Sequence, residues 1–150
     1  MFLRDEAEML RRVPIFSKIE AAKLKLLAFA SDRNIYTAGT ALCHQGDRGD
    51  AAFVILSGNA EVYVHTPAGD MKVADVQPNS IVGEIAILCD TARTATVRAA
   101  TEVEALRISK ETFLKLVSDF PNIGVGMMRG LASRLAQTTS ELTTTLSTER

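Results

Sequence analysis

The stretch Ile81-Val82-Gly83-Glu84-Ile85-Ala86-Ile87-Leu88-Cys89-Asp90-Thr91-Ala92-Arg93-Thr94-Ala95-Thr96 gathers the residues with the most chemistry to offer. Gly83 has no side chain and lets a ligand approach the backbone. Glu84 to Leu88 can form one helical turn, whose leading N–H groups point outward as an anion site. Arg93 follows a short polar loop, at the head of an expected strand, and can return to the same place. A guanidinium matches phosphate oxygens in bidentate fashion, and Thr94 adds a hydroxyl donor. A carboxylate beside a phosphate repels it, so Glu84 makes sense as an acceptor for a sugar hydroxyl. Phosphate plus ribose in one small pocket means a nucleotide. The plainer readings of the same positions are a structural Glu84–Arg93 ion pair and an ordinary strand threonine.

Three kinds of element must position these residues. Residues 1–33 read as an N-terminal helical segment: Met9, Leu10 and Val13 recur at helical spacing, Pro14 breaks the run, and Ile19 to Ala30 resumes it. From 34 to 109, short β-rich runs alternate with turn clusters. The runs are Asn34–Tyr36, Ala41–His44, Ala52–Leu56, Ala60–His65, Lys72–Val76, Thr94–Ala99 and Val103–Ile108. Turns every ten or so residues with no long helix suggest an antiparallel sandwich or barrel. Over 110–150 the helical pattern returns. Ser109-Lys110-Glu111-Thr112 can cap a helix carrying Phe113, Leu114, Leu116 and Val117, which Asp119-Phe120-Pro121 ends. A longer helix follows from Asn122, with Met128, Leu131, Leu135, Thr138, Leu142 and Thr145 on a heptad seam. Gly124, Gly126 and Gly130 weaken its first turns. A small barrel cannot cover such a helix, so the seam predicts a homodimer; packing on its own barrel is the alternative.

Gly-Glu-Ile-Ala-Ile-Leu and Arg-Thr-Ala-Thr-Val, with ten residues from Gly83 to Arg93, resemble the phosphate-binding cassette of the cyclic nucleotide-binding domain family. That family includes the sensor domain of catabolite activator protein and the regulatory regions of protein kinases A and G. Gly46-Asp47-Arg48-Gly49-Asp50 and Phe53-Val54-Ile55-Leu56-Ser57-Gly58 resemble its glycine-marked β-turns. The resemblance implies an α+β, mainly β fold. One domain over 1–150 would form an antiparallel β-roll or jelly-roll barrel, with the cassette at 82–96, N-terminal helices and two C-terminal helices. It implies that Glu84 binds the ribose 2′-hydroxyl and Arg93 the cyclic phosphate. The backbone of Gly83, Ile85 and Ala86 would line the sugar-phosphate, and Thr94 would touch phosphate or base. Arg134 to Glu141 resembles the activator's dimer helix. There Thr138 and Thr139 would contact the base, one of them across the dimer, and Arg134 would pair with Glu84. The family's usual aromatic residue before Gly-Glu is Val82 here, and no Trp exists to stack on the base. Thr94 resembles cGMP-selective pockets and the Arg134–Thr139 segment a cAMP pocket; the balance favours cAMP.

The remaining features narrow the function. The chain has 150 residues, 47% apolar and 23% charged, with a formal net charge of −1. This composition suits one globular domain and excludes a disordered chain or a non-specific nucleic-acid binder. The longest apolar runs, such as Leu26–Ala30 and Ala51–Leu56, are far shorter than the ~18–20 residues of a membrane span. Acidic residues follow Met1 too closely for a signal peptide, so a cytoplasmic location is expected. Cys43 and Cys89 are too few for a disulfide framework. With only two histidines and no ligand spacing, no metal and no cofactor is expected, only the ligand cAMP or cGMP. Cys89 reads as a small buried residue. Cys43 and His44 face opposite ways on a strand, and His65 reads as a strand surface residue.

A ligand sensor that repositions its C-terminal helices and passes its signal to a protein effector fits best. The alternative is an interaction or dimerisation module with a degenerate or different pocket. A transcription factor needs a basic recognition face, whereas residues 121–150 hold Arg129, Arg134 and Arg150 against Glu141 and Glu149; no direct DNA binding is expected. An enzyme acting on a cyclic phosphate needs a metal or a general base, and the cassette offers no catalytic residue.

Overall fold

The computed structural model describes residues 3–148. Its elements run α1 (Leu3–Arg11), a 3₁₀ turn (Pro14–Phe16), α2 (Ala21–Phe29), β1 (Asp32–Tyr36), β2 (Ala41–Cys43), β3 (Ala51–Ser57) and β4 (Ala60–Thr66). They continue as β5 (Gly69–Val76), β6 (Ile81–Val82), α3 (Glu84–Leu88), β7 (Thr96–Ala99), β8 (Val103–Ser109), α4 (Lys110–Asp119) and α5 (Pro121–Thr148). The chain divides into two compact units between Lys115 and Leu116.

Pro14 does stop α1, and it opens the short 3₁₀ turn because its fixed φ suits a helix start. The strands form two antiparallel four-stranded sheets, ordered β1-β8-β3-β6 and β2-β7-β4-β5. The roll architecture is as expected; a closed barrel is not. Each sheet keeps two edges, because β6 is only two residues long and β5 pairs with β4 alone. The apolar interior is built from inward-facing residues of both sheets, among them Phe53, Ile55, Val97, Val103 and Ala105. Strand β3 is buried from Ala51 to Leu56 rather than alternating. One of its faces lines this core and the other carries residues such as Ala52 and Val54, with α1 packed against the strand.

Strand β6 escaped the sequence pattern, since two residues cannot show a period. It is held by the register Phe53↔Val82 and Val54↔Ile81. The strand expected from Thr94 begins only at Thr96, so Arg93 and Thr94 lie in the loop before β7. In the second unit α5 is one continuous helix of 28 residues. Its three early glycines do not interrupt it. Met128, Leu135 and Leu142, each seven residues from the next, are 64%, 68% and 59% exposed.

Candidate functional site

Gly83 sits at φ 85°, in the left-handed region, and caps the start of α3. A side chain there is strained by chirality, and a Cβ would also meet Arg93 Nη1 at 2.7 Å and the Ala51 carbonyl oxygen at 3.2 Å. The glycine is therefore required twice, for the turn and for the space. The expected helical turn follows as α3, ending where the Cys89 N–H bonds the Ile85 carbonyl. The N–H groups of its first turn have no acceptor within the helix.

Among the described residues, the buried charged side chains are Glu84 and Arg93, each 5% exposed. Ala86 is also buried, Ile85 is half-buried, and Thr94 is exposed beside Arg93. The guanidinium of Arg93 donates to the Ala51 carbonyl at 2.7 Å and, at 3.4 Å, to the Gly83 carbonyl and to Asp50 Oδ1. It lies 5.6 Å from the centroid of the Phe53 ring. The other Asp50 oxygen accepts from Arg107 at 3.2 Å. The two loops that carry this cluster are laced together: Gly46 N–H bonds the Arg93 carbonyl and Arg93 N–H bonds the Asp47 carbonyl. Gly49 allows the approach, since a Cβ there would stand 2.4 Å from Ala86 Cβ.

Gly83, Glu84, Ala86, Arg93 and Thr94 are thus brought to one corner of the roll, with Val82 leading in on β6. Arg134, Thr138 and Thr139 lie on α5, in the second unit, and are exposed. Asp50, Phe53 and Arg107 were missed by the sequence reading. Their signal is weak, because it depends on the β3–β8 register that sets Phe53 opposite Arg107. Cys89 corrects an expectation: it is exposed, not buried, because α3 stops after one turn and its C-terminal end faces out. Cys43 is buried, and loss of hydration pushes its thiol upward, with the Arg93 charge the largest opposing influence.

A cleft of about 750 Å³ lies beside the cassette, lined in part by Arg48, Arg107 and Lys110 and by Asp50, Asp90 and Glu111. Cations and carboxylates balance there, and neither Glu84 nor Arg93 lines it. No group of three or more His, Cys, Asp or Glu side chains that could hold a metal ion occurs among the described residues. Nor is any described helix long and apolar enough to cross a membrane.

A β-roll that buries one arginine and one glutamate around a glycine-started helical turn has the architecture of a small-ligand sensor domain. The model of the cyclic nucleotide-binding domain matches residues 33–120, and the chain belongs to that family. It is 33% identical over 117 residues to a cAMP-dependent protein kinase regulatory subunit of Emericella nidulans, covering 76% of this chain and 27% of the relative. It is 26% identical over 136 residues to a CRP-like cAMP-activated global transcriptional regulator of Mycobacterium tuberculosis, covering 90% of this chain and 61% of the relative. The chain thus spans less than two thirds of either relative. The fold is shared with the sensor domain of the transcriptional regulator DNR from Pseudomonas aeruginosa, at a TM-score of 0.80 and 23% identity. That match covers 93% of this chain and 95% of the other.

Proposed function

We propose that this chain is a cyclic mononucleotide sensor that binds cAMP in preference to cGMP and signals by repositioning its C-terminal helices. The observation that carries the reading is the burial of Glu84 and Arg93 in a family whose members bind cyclic nucleotides. Arg93 holds the cyclic phosphate, with the backbone of Gly83, Ile85 and Ala86 lining the sugar-phosphate. Glu84 accepts from the ribose 2′-hydroxyl, and Thr94, exposed beside Arg93, reaches phosphate or base. Thr138 and Thr139 read the base, and Arg134 pairs with Glu84 when the helix is in.

The preference for cAMP rests on the resemblance of the Arg134–Thr139 segment to a cAMP pocket in which helix threonines meet the adenine amine. The Thr138 hydroxyl, which donates to the Arg134 carbonyl at 3.0 Å, keeps lone pairs for such a donor. The exposed heptad residues of α5 support a homodimer through that helix. Ligand binding favours the state in which the helices close on the pocket, and the signal passes to a protein effector. The charge of residues 121–150 gives no support to DNA contact by this segment, and the site reading includes no catalysis. A cytoplasmic location completes the reading.

Isothermal titration with cAMP and then cGMP tests it, with Arg93→Ala as the control. Saturable binding, tighter for cAMP and weakened by at least about 30-fold in the variant, is expected from the loss of a charge partner worth ~2–5 kcal/mol. No binding of either nucleotide by the folded protein refutes the sensor reading.

A further inference from the structure

We propose that Phe53 is a positioning residue for the phosphate arginine: its ring forms the apolar wall that holds the Arg93 guanidinium in place for an anion. The proposal rests on the reading of this corner as a cyclic-nucleotide pocket.

Arg93 is held by neighbours of different kinds. The Ala51 carbonyl binds one nitrogen at 2.7 Å, the Gly83 carbonyl approaches another at 3.4 Å, and Asp50 supplies a carboxylate. Each of these fixes the guanidinium through its N–H groups, the same groups a phosphate must share. The Phe53 ring uses none of them. At 5.6 Å from its centroid to the guanidinium carbon, it lies within the range of cation–π attraction. Phe53 is 3% exposed and Arg93 5%, so the contact is withdrawn from water and not weakened by it.

The backbone that carries the ring is held from both sides, because Phe53 pairs with Val82 on β6 and with Arg107 on β8. Its burial, at 3% exposure, restricts how far the ring can follow the guanidinium. The small residues Ala51, Ala52 and Gly83 leave the charge room beside it, and Phe53 is the large side chain placed against it. A dry apolar wall also strengthens the pairing of guanidinium with phosphate, as screening by water falls. The Tyr63 ring lies 4.8 Å from Arg98, but that pair is half-exposed and serves as a contrast.

A double-mutant cycle with cAMP as the probe tests the role. Phe53→Leu keeps an apolar residue and removes the ring, and Phe53→Tyr keeps the ring. Phe53→Leu is expected to weaken binding about five- to thirtyfold when Arg93 is present. It should weaken binding less than about twofold in an Arg93→Met background, where no cation remains for the ring to hold. Phe53→Tyr should stay within about threefold of wild type, and Tyr63→Leu should leave affinity unchanged. In the ligand-free protein, NMR should show upfield ring-current shifts of the Arg93 side-chain protons, lost in Phe53→Leu and kept in Phe53→Tyr. Phe53→Met replaces the leucine variant if that fails to fold. Equal losses from Phe53→Leu in both backgrounds, or no ring-current shift in wild type, overturn the proposal. If the wild type binds neither cAMP nor cGMP, the nucleotide reading fails first and the positioning role falls with it.

Discussion

Replacing Gly83 by alanine separates the two reasons for a glycine at the start of α3. The first is conformational: at φ 85° an L-residue is strained by ~1–2 kcal/mol. The second is contact: the new methyl group would stand 2.7 Å from Arg93 Nη1 and 3.2 Å from the Ala51 oxygen. The Ala51 carbonyl is pinned by strand β3, so the guanidinium must move. It then gives up its 2.7 Å bond to that carbonyl. A bond from a charged donor to a neutral acceptor contributes ~1.5–3 kcal/mol. Gly39 supplies the control. It has φ 90° and nothing within 4 Å of its imagined Cβ, so Gly39→Ala carries the strain alone. In a domain of this size ~1 kcal/mol shifts Tm by ~2–4 °C. Gly83→Ala should therefore melt roughly 3–12 °C below Gly39→Ala, with both below wild type. Thermal unfolding by circular dichroism gives the comparison, and titration with cAMP adds a second. Affinity should fall by at least about tenfold in Gly83→Ala and by less than about twofold in Gly39→Ala. Coincident melting of the two variants would show that the guanidinium is not held where the geometry puts it.

The two thiols should react very differently with an aromatic disulfide reagent at pH 8. Cys89, exposed at the end of α3, should be modified within minutes, and Cys43, buried with its thiol pushed upward by lost hydration, only on unfolding. Equal rates in the folded protein would contradict the burial of Cys43. On the outer face of β4 and β5, Lys72 contacts Glu61 at 2.9 Å and Asp75 at 2.7 Å. Hydrogen bonding to Lys72 holds the Glu61 carboxyl below its ordinary range, and hydrogen bonds to Asp75 first and Glu61 second raise Lys72. The contribution of Glu61 is thus present above the ordinary carboxylate value, near 4.5, and is lost as pH falls through its lowered value. That of Lys72 is present below 10.5 and is lost only at higher pH. In Lys72→Met, an NMR titration should find Glu61 moved upward; an unchanged midpoint would mean the contact does not persist in solution.

The parts of the molecule that follow local rules were legible in the sequence. Glu84 followed by four apolar residues gives one helical turn from residue types alone, while the left-handed φ of Gly83 at its start came from the structure. Pro14, Ser109 and Pro121 mark helix ends for equally local reasons, and the Ser109 hydroxyl does accept from the Thr112 N–H at 3.3 Å. Glu84 and Arg93 were singled out together on the spacing that resembles the family cassette, and both side chains are buried. What was not legible depends on residues far apart in the chain. Asp50 meets Arg93 from 43 positions away, and nothing around Asp50 distinguishes it from Asp47. Phe53 reads as one more core residue until the register of β3 brings its ring to a charge. Cys89 was misjudged because its apolar neighbours suggest burial, while the exit of α3 turns it outward. Roll and closed barrel share one strand pattern, and the difference lies in which edges meet.

One of those open edges has a consequence for the behaviour of the protein at high concentration. Strand β5 presents a row of backbone groups along its free side, with Met71 and Val73 56% and 54% exposed. Such an edge invites a second chain to add as a further strand and begin a growing aggregate. Three features work against this. Asp70, Lys72 and Asp75 put charge along the strand. The bulge opposite Val62 and Tyr63 disturbs the straight run that another strand would need. The ion pairs of Lys72 hold that charge in position against β4. Lys72 thus guards solubility, so a mutation that removes it can lower yield or promote clumping while leaving the pocket and its ligand untouched.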